Sequence, residues 1–161
     1  MTVREPRDSQ FRLAFRWLRF AYWRMTRGMT LGVRAMVLDD ENRIFLVRHT
    51  YTRGWHFPGG GVDAGESLRG AVERELLEEA DIMLAAEPRL HGVFRQSKVS
   101  MRDHVAVYVV RGFRQLSQGK TDHEIAESGF FAVDALPETT TPGTRARLME
   151  VLEERPAAVD W

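Results

Sequence analysis

The feature that most constrains this chain is a run of three glycines followed by a strongly acidic helical segment. Gly59, Gly60 and Gly61 allow the backbone to approach a ligand closely. The spacing of apolar residues then predicts a helix over Ser67–Ala80, with Ser67 as the side chain that caps its first turn. The pattern therefore predicts a loop whose backbone can approach a ligand closely, followed by a helix.

Three carboxylates lie on one face of this predicted helix. Glu75, Glu78 and Glu79 are spaced i, i+3 and i+4, and no Lys or Arg at 82 or 83 neutralises them one turn later. Their mutual repulsion raises their pKa values or requires a cation. Mg²⁺ binds carboxylate oxygens together with substrate phosphate, so the spacing predicts a divalent metal site. The structural alternative is a solvated, glutamate-rich helix surface.

The neighbours of these carboxylates define the orientation of the helix. Val72 and Leu76 lie one turn apart beside the acidic edge, which places the carboxylates at the margin of the buried face. Arg74 points away from this apolar stripe. We predict that Arg74 pairs with Glu66 and thereby ties the loop to the helix.

Strand-like segments make up most of the remaining chain. Residues 30–38 and 43–49 are predicted to form a hairpin around a polar turn. Further strands are predicted at 89–96, 104–111 and 129–133. A polar stretch precedes the last of these at 122–128, and a closing helix is predicted from Arg145. This order predicts an α/β (α+β) domain in which a mixed β-sheet carries helices on its faces.

The N-terminal residues differ from the rest of the chain in charge. The chain has 23 basic and 23 acidic residues, but residues 1–30 hold seven arginines against two acidic residues. Aromatic and apolar residues recur at helical spacing over 11–27, so residues 1–29 are assigned to a basic, aromatic helical extension. Packing of this helix onto the domain is the favoured interpretation. A homodimer contact and a membrane-surface helix are the less favoured alternatives.

The composition excludes several classes of protein. The chain has no cysteine, which excludes disulfide scaffolds, thiolate zinc sites and thiol nucleophiles. A net charge of zero argues against a stable complex with nucleic acid. The sequence contains no long apolar run and no targeting signal, so a cytoplasmic location is expected.

Residues 60–82 resemble the Nudix box, G-x5-E-x7-R-E-U-x-E-E-x-G-U, in which U is a bulky aliphatic residue. The matching positions are Gly60, Glu66, Arg74, Glu75, Leu76, Glu78, Glu79 and Ile82. Asp81 replaces the second glycine of the motif, and we expect a small loss of stability from this replacement. The resemblance extends over residues 30–155, which are assigned to a Nudix hydrolase domain, and leaves 156–161 as a C-terminal tail.

The resemblance implies a MutT-like Nudix hydrolase with an α/β/α sandwich fold. In such an enzyme a water molecule attacks phosphorus in the pyrophosphate bond of a small nucleoside diphosphate derivative. The implied ligands of Mg²⁺ or Mn²⁺ are Glu75, Glu78, Glu79 and Gly59, and the implied structural residues of the motif are Glu66 and Arg74. Glu78 and Glu79 are the implied catalytic residues, together with an acidic residue outside the box. Glu124 is favoured over Glu127 for that last role.

Several side chains are candidate substrate contacts. Arginine forks match phosphate oxygens, and aromatic rings stack on bases. The assigned substrate-binding residues are Arg48, Arg53, Trp55, Gly60 and Gly61. Further candidates are Arg95, Lys98, His56 and His104 for phosphate, and Tyr51 and Phe94 for stacking on a base. Each of these side chains has a structural alternative as surface charge or as core filler.

Two other functions remain open at this point. A noncatalytic Nudix-fold module would bind a nucleotide or regulate a partner, but it would be expected to lose carboxylates of the box, and all of them are present. A membrane-peripheral hydrolase would be held at anionic lipid by the basic helix. The lack of cysteine sets the chain apart from the family's isopentenyl diphosphate isomerases and zinc-ribbon NADH pyrophosphatases.

Overall fold

The computed structural model describes residues 28–97, 100–117 and 121–161, together with Leu18 and Tyr22. Leu18 and Tyr22 are helical and largely exposed, and the rest of the predicted N-terminal helix lies outside the described residues. Packing, dimer contact and membrane contact therefore stay predictions for this segment. Within the described residues, no helix is long and apolar enough to cross a lipid bilayer.

The elements of the domain alternate between strands and two longer helices. In chain order they are β1 (Thr30–Val37), β2 (Ile44–His49), α1 (Leu68–Ala80), β3 (Ile82–Leu84), β4 (Arg89–Arg95), β5 (Asp103–Val110), β6 (Phe113–Gln115), β7 (Ile125–Phe131) and α2 (Pro142–Leu152). The short strands β3 and β6 pair with each other and were not predicted from the sequence.

A mixed three-stranded sheet lies at the centre of the fold. β5 pairs in parallel with β1 on one side and antiparallel with β4 on the other. The alternation of β5 sends Val105, Val107 and Val109 to one face and Ala106 and Val110 to the opposite face. Both faces are covered by apolar residues, which is why this strand is a nearly uninterrupted hydrophobic run in the sequence.

β2 forms a second sheet with β7 and does not form a hairpin with β1. The polar turn between β1 and β2 does form, because the Asp39 carboxylate accepts a hydrogen bond of 2.7 Å from the N–H of Arg43. Pairing between the two strands stops at a single bridge between Leu38 and Ile44. The predicted hairpin is therefore wrong beyond its turn, since β1 and β2 find their partners in different sheets.

β7 begins earlier than the sequence predicted. It covers Ile125–Phe131, whereas a strand was predicted over 129–133. The earlier half of β7 carries polar residues on its exposed face, where Glu127 Oε2 lies 2.9 Å from Nη2 of Arg48 in β2. The start of β7 is held by a cross-strand ion pair and lacks the alternation of apolar residues that predicts a strand. This is why the sequence pattern placed the start of the strand too late.

Both helices begin at capping residues. Ser67 Oγ accepts a hydrogen bond of 3.0 Å from the N–H of Gly70, and α1 ends at Asp81, whose φ is 50°. The predicted extent of this helix is confirmed, and Asp81 adopts the left-handed conformation for which its motif normally uses glycine. α2 begins at Pro142 rather than at the predicted Arg145, because proline at the first helical position presets φ.

The two helices cover opposite faces of the central sheet. The cluster on the α1 side includes Val33, Ala35, Ala71, Val72, Leu76, Ala80 and Ala106. The cluster on the α2 side includes Met36, Leu38, Phe94, Val105, Val107 and Leu148. Helix, mixed sheet and helix thus form three layers, and the predicted α/β/α sandwich is confirmed.

Candidate active site

α1 carries the predicted metal ligands on the side that faces the glycine loop. Glu75 and Glu79 are only 8% and 7% exposed, although both are carboxylates. They lie beside the buried residues Val72 and Leu76, so the acidic edge lies at the margin of the buried face, as predicted. Glu78 lies on the outer side of the same edge, with 59% of its side chain exposed.

Glu79 is held by the backbone of the glycine loop. Its Oε2 accepts a hydrogen bond of 2.8 Å from the N–H of Gly59. Burial raises the pKa of Glu79 to about 7, although the Gly59 hydrogen bond and the charge of Arg34 act in the opposite direction. Desolvation is therefore the main cause of the raised pKa, and repulsion between carboxylates, the cause expected from the sequence, is a smaller contribution.

Gly60 makes room for the carboxylate of Glu75. A Cβ atom at position 60 would lie 2.5 Å from Oε1 and 2.9 Å from Oε2 of Glu75. The missing side chain of Gly60 therefore lets the carboxylate lie directly against the loop backbone. Burial raises the pKa of Glu75, while a hydrogen bond from Arg74 lowers it.

Arg74 ties the loop to the helix, as predicted. Its Nε and Nη2 donate to the two carboxylate oxygens of Glu66 at 3.0 and 3.1 Å. Nη2 also donates to the carbonyl of Gly61 at 2.8 Å, and Nη1 donates to Glu75 at 2.6 Å and to Glu78 at 3.2 Å. The sequence has no Lys or Arg at 82 or 83, and it is Arg74, from the preceding residues of the helix, that supplies a cation to Glu75 and Glu78.

Arg34 is a half-buried residue of the site that was not predicted from the sequence. It lies in β1, and its Nη1 donates to the carbonyls of Phe57, at 3.2 Å, and Gly59. Gly59 was predicted as a metal ligand, and its carbonyl accepts this bond from the guanidinium. The charge of Arg34 lowers the pKa values of Glu75 and Glu79. Arg34 is the one charged residue in the mostly apolar sequence of β1. A charge at such a position is the sequence signal that marks Arg34 as a candidate site residue.

His49 is a buried residue beside Glu79 that was also not predicted. Its Nδ1 lies 3.6 Å from Oε1 of Glu79 and makes no hydrogen bond among the described residues. Burial and the nearby charge of Arg34 lower the pKa of His49 to about 4, so the ring is neutral at pH 7. His49 thus borders the acidic edge without adding a positive charge.

The two acidic candidates outside the box have different surroundings. Glu127 is paired with Arg48 across β2 and β7. Glu124 lies in the loop before β7, where its carbonyl accepts a hydrogen bond of 2.9 Å from the N–H of Thr50. The charge of Glu124 contributes to the raised pKa of Glu79, so it lies within electrostatic range of the buried carboxylates. This placement agrees with the preference for Glu124, whose catalytic role stays a prediction.

Some of the predicted substrate contacts come together in one cavity. Arg48, Tyr51 and Arg53 line an open cavity of about 900 Å³ along the loop that follows β2. The carbonyl of Arg53 also contacts Nε2 of His56 at 3.0 Å. The cavity has the size of a small-molecule site, and the roles of these residues in it stay predictions.

Other predicted contacts lie away from that cavity. Trp55 is 6% exposed, and its ring packs edge-on against Phe131 with 4.8 Å between the ring centroids. Phe94 is fully buried. The burial of both rings favours their structural alternative as core filler, so stacking of either ring on a base is not supported. Arg95 forms an ion pair with Asp160, and Lys98 lies outside the described residues.

The chemistry of the buried carboxylates fits a divalent cation. Among the described residues, no three His, Asp or Glu side chains are arranged as a shared metal cluster. Glu75 and Glu79 nevertheless provide two desolvated carboxylates with raised pKa values, and a nearby cation favours the ionised form of such groups. Carboxylate oxygens are the donors that Mg²⁺ and Mn²⁺ prefer.

Comparison with known proteins decides the family of the chain. The family model described as NUDIX domain matches residues 28–152. The chain belongs to the Nudix family. This Nudix protein carries its box on the glycine loop and α1, and the resemblance stated from the sequence is confirmed.

Relatives of this Nudix protein match parts of its length. A Bacillus subtilis protein named provisionally as an 8-oxo-dGTP diphosphatase is 32% identical over 90 residues, which cover 56% of this chain and 60% of that protein. An RNA pyrophosphohydrolase of Methylococcus capsulatus is 38% identical over 55 residues, which cover 34% of this chain and 29% of that protein. The chain thus spans less than two thirds of the length of these curated relatives.

A solved structure matches more of the fold. The crystal structure of a MutT NUDIX hydrolase from Burkholderia pseudomallei has a TM-score of 0.66 and 29% sequence identity to this chain. The match covers 76% of this chain and 97% of that chain.

Proposed function

We propose that this Nudix protein is a divalent-metal-dependent hydrolase that cleaves the pyrophosphate bond of a nucleoside diphosphate derivative. The observation that carries the proposal is the pair of buried carboxylates, Glu75 and Glu79, held against the glycine loop one helical turn apart. Burial raises the pKa of both carboxylates, and that of Glu79 to about 7. Perturbed pKa values of this kind concentrate at functional sites, and a divalent cation would favour the ionised form of both groups. The family and its MutT neighbour support the class of enzyme.

The residues of the chain prepare this site before any ligand binds. The N–H of Gly59 fixes the carboxylate of Glu79, and the bare backbone of Gly60 lets Glu75 lie against the loop. These two carboxylates and the exposed Glu78 would hold Mg²⁺ or Mn²⁺. When bound, the cation neutralises phosphate charge and lowers the pKa of water.

Glu124 is proposed to accept the proton of the attacking water. Its charge raises the pKa values of Glu79 and Tyr51, so it lies within electrostatic range of the acidic edge of α1. Its carboxylate is 60% exposed, so the proton can pass to solvent after each turnover. A general base must also come within hydrogen-bond reach of the water that it activates, directly or through one further water.

The proposed substrate class follows from the relatives and from the open cavity. The two curated relatives described above are named for the hydrolysis of a diphosphate or pyrophosphate. Arg48 and Arg53 line the open cavity along the loop that follows β2, and they carry the planar donors that match phosphate oxygens. The proposed substrate is therefore a compound in which a phosphoanhydride is attached to a nucleoside.

The first experiment is a phosphate-release screen with the full chain. Nucleoside triphosphates, dinucleotides, ADP-ribose, nucleotide sugars and coenzyme A are each incubated with Mg²⁺, with Mn²⁺ and with a chelator. Hydrolysis of at least one compound that stops in the chelator is the expected result. The noncatalytic module that was considered from the sequence predicts no hydrolysis under any of these conditions.

The second experiment assigns the activity to the buried carboxylates. Glu79→Gln is expected to lower kcat by at least about a hundredfold, because the metal contributes several kcal/mol to the transition state. Glu73→Gln is the matched control, since Glu73 lies on the same helix in an exposed pair with Arg69. Equal activity of the two variants, or hydrolysis that survives chelation in the wild-type protein, would contradict the proposed function.

A further inference from the structure

Residues 156–161 dock against the end of β4 and are not a loose tail. The N–H of Arg95 donates to the carbonyl of Val159, and the N–H of Trp161 donates to the carbonyl of Arg95, both at 3.0 Å. These bonds form a parallel bridge between Arg95 and Asp160. The segment thereby continues the hydrogen bonding of the sheet past its edge strand.

Side chains hold the same segment at two further points. The guanidinium of Arg95 donates two hydrogen bonds, of 2.7 and 3.1 Å, to the carboxylate of Asp160. The buried Arg147 donates a bond of 2.7 Å to the carbonyl of Asp160, and its guanidinium lies 4.4 Å from the centroid of the Phe94 ring. Together these contacts fix the position of the next residue, Trp161.

The indole of Trp161 forms one wall of a cavity of about 360 Å³. It packs against Gly143 near the start of α2, where a Cβ atom would collide with the indole nitrogen. Its ring also meets Phe94 edge-on, with 6.0 Å between the centroids. Trp161 is only half-buried, so part of the ring is accessible to a ligand.

The other walls of this cavity carry groups that suit a nucleoside. They include the side chains of Thr52, His56, Gln96 and Ser97. Hydroxyl, imidazole and amide groups both donate and accept hydrogen bonds, as the edge of a base or the hydroxyls of a sugar require. The volume is within the range of small-molecule pockets.

Arg34 joins the cavity to the proposed active site. Its side chain lines the cavity, and its guanidinium donates to the carbonyl of Gly59. The N–H of the same glycine donates to the carboxylate of Glu79. A substrate whose phosphates lie at the buried carboxylates therefore has an aromatic-walled cavity close by for its base.

We infer that Trp161 stacks on the base of the substrate and that the Arg95–Asp160 pair positions its indole. The inference rests on the proposed function, because it identifies the part of the site that recognises the nucleoside. Stacking of a base on an aromatic side chain typically strengthens binding by tenfold or more. Trp161 is thus a specificity-determining residue, and Arg95 and Asp160 are positioning residues.

The test measures binding, so that it can be read separately from hydrolysis. Dissociation constants of the full chain for nucleoside 5′-monophosphates, and for ribose 5-phosphate as the base-free probe, are measured by calorimetry with Mg²⁺ present. Trp161→Ala is expected to weaken binding of the best-bound monophosphate about tenfold, which is about 1.4 kcal/mol. Its affinity for ribose 5-phosphate is expected to stay that of the wild-type protein. Trp161→Phe keeps an aromatic ring and is expected to bind within about threefold of the wild-type protein.

A second pair of variants tests the positioning of the indole. Asp160→Asn weakens the charge-assisted pair with Arg95, and we expect monophosphate binding to fall about threefold while kcat is retained. Glu87→Gln is the matched control, because it breaks an exposed ion pair of 2.9 Å with Arg69 that does not line the cavity. This control is expected to bind every probe as the wild-type protein does.

The possible results separate the inference from the proposed function. The inference is overturned if Trp161→Ala binds monophosphates with the dissociation constant of the wild-type protein. It is also overturned if the variant loses as much affinity for ribose 5-phosphate as for monophosphates. If Glu79→Gln abolishes hydrolysis in the same preparation, the proposed function stands without the base pocket. Binding that depends on Trp161, without hydrolysis of any compound, supports the pocket and contradicts the proposed function.

Discussion

Replacement of Gly60 by alanine tests whether the position of the Glu75 carboxylate matters. The new Cβ would lie 2.5 Å from Oε1 of Glu75, whereas ordinary contacts begin near 3.4 Å. The carboxylate must therefore retreat by about 0.9 Å, and the hydrogen bond of 2.6 Å from Arg74 hinders this movement. A misplacement of about 1 Å in a catalytic geometry costs about a hundredfold in rate.

Stability and metal affinity are expected to respond differently to this substitution. The collision involves a side chain, and Gly60 has no positive φ, so we expect the free energy of unfolding to fall by no more than about 2 kcal/mol. Mn²⁺ affinity, followed by electron paramagnetic resonance, is expected to fall at least about tenfold, or about 1.4 kcal/mol. Hydrolysis is measured in parallel on whichever compound the screen identifies.

Gly129→Ala is the matched control for Gly60→Ala. Gly129 lies in β7, and a Cβ atom there meets nothing within 4 Å. This variant is expected to bind Mn²⁺ and to hydrolyse the substrate as the wild-type protein does. If Gly60→Ala were to match it in Mn²⁺ affinity and in rate, the reasoning that places a metal ligand at Glu75 would be refuted.

Three other predictions concern pH, the loop tie and the end of α1. In the metal-free protein, burial raises the pKa of Glu79 to about 7 from an ordinary 4.5, so the folded state retains a proton that the unfolded chain releases. The free energy of unfolding should therefore fall as the pH rises from about 4.5 to about 7, and Glu79→Gln should reduce this slope in urea titrations. Arg74→Ala removes the bonds to Glu66 and to the glycine loop and should destabilise the fold by about 2 kcal/mol, measured by thermal unfolding. Asp81→Gly relieves a left-handed backbone but loses a hydrogen bond of 2.7 Å from Ser117, so the free energy of unfolding should change by less than about 1 kcal/mol. Ser117→Ala loses the same hydrogen bond without relieving the backbone, so it should lower the free energy of unfolding by about 1 kcal/mol.

The elements predicted correctly are those whose signals are local. α1 was recognised because its cap at Ser67, its apolar spacing and its end at Asp81 all lie within one segment. β5 was recognised because both of its faces are apolar. The pairing of β1 could not be predicted in the same way, because its partner lies far along the chain and the nearest strand, β2, is the one that a local pattern favours.

The same division holds for the candidate site. The spacing of Glu75 and Glu79 on one helix, and the pairing of Arg74 with Glu66, could be read from sequence distance alone. The role of Arg34 could not, because it arises where the glycine loop lies beside the middle of β1, far from the helix in sequence. The raised pKa values were expected for a different reason, since sequence spacing reveals repulsion between charges but not the depth at which they are buried.

The parallel pairing of β1 with β5 also matters while the protein is being made. Thr30 lies opposite Asp103, so the ribosome must add 73 residues before the partner of the first strand exists. At about 5–20 residues per second, this takes roughly 4–15 s, during which the apolar stretch of β1 can meet other nascent chains. Arg34 places a charge in the middle of that stretch, where charges oppose aggregation. The guanidinium that binds the glycine loop in the folded protein therefore opposes aggregation of β1 while the chain is being synthesised.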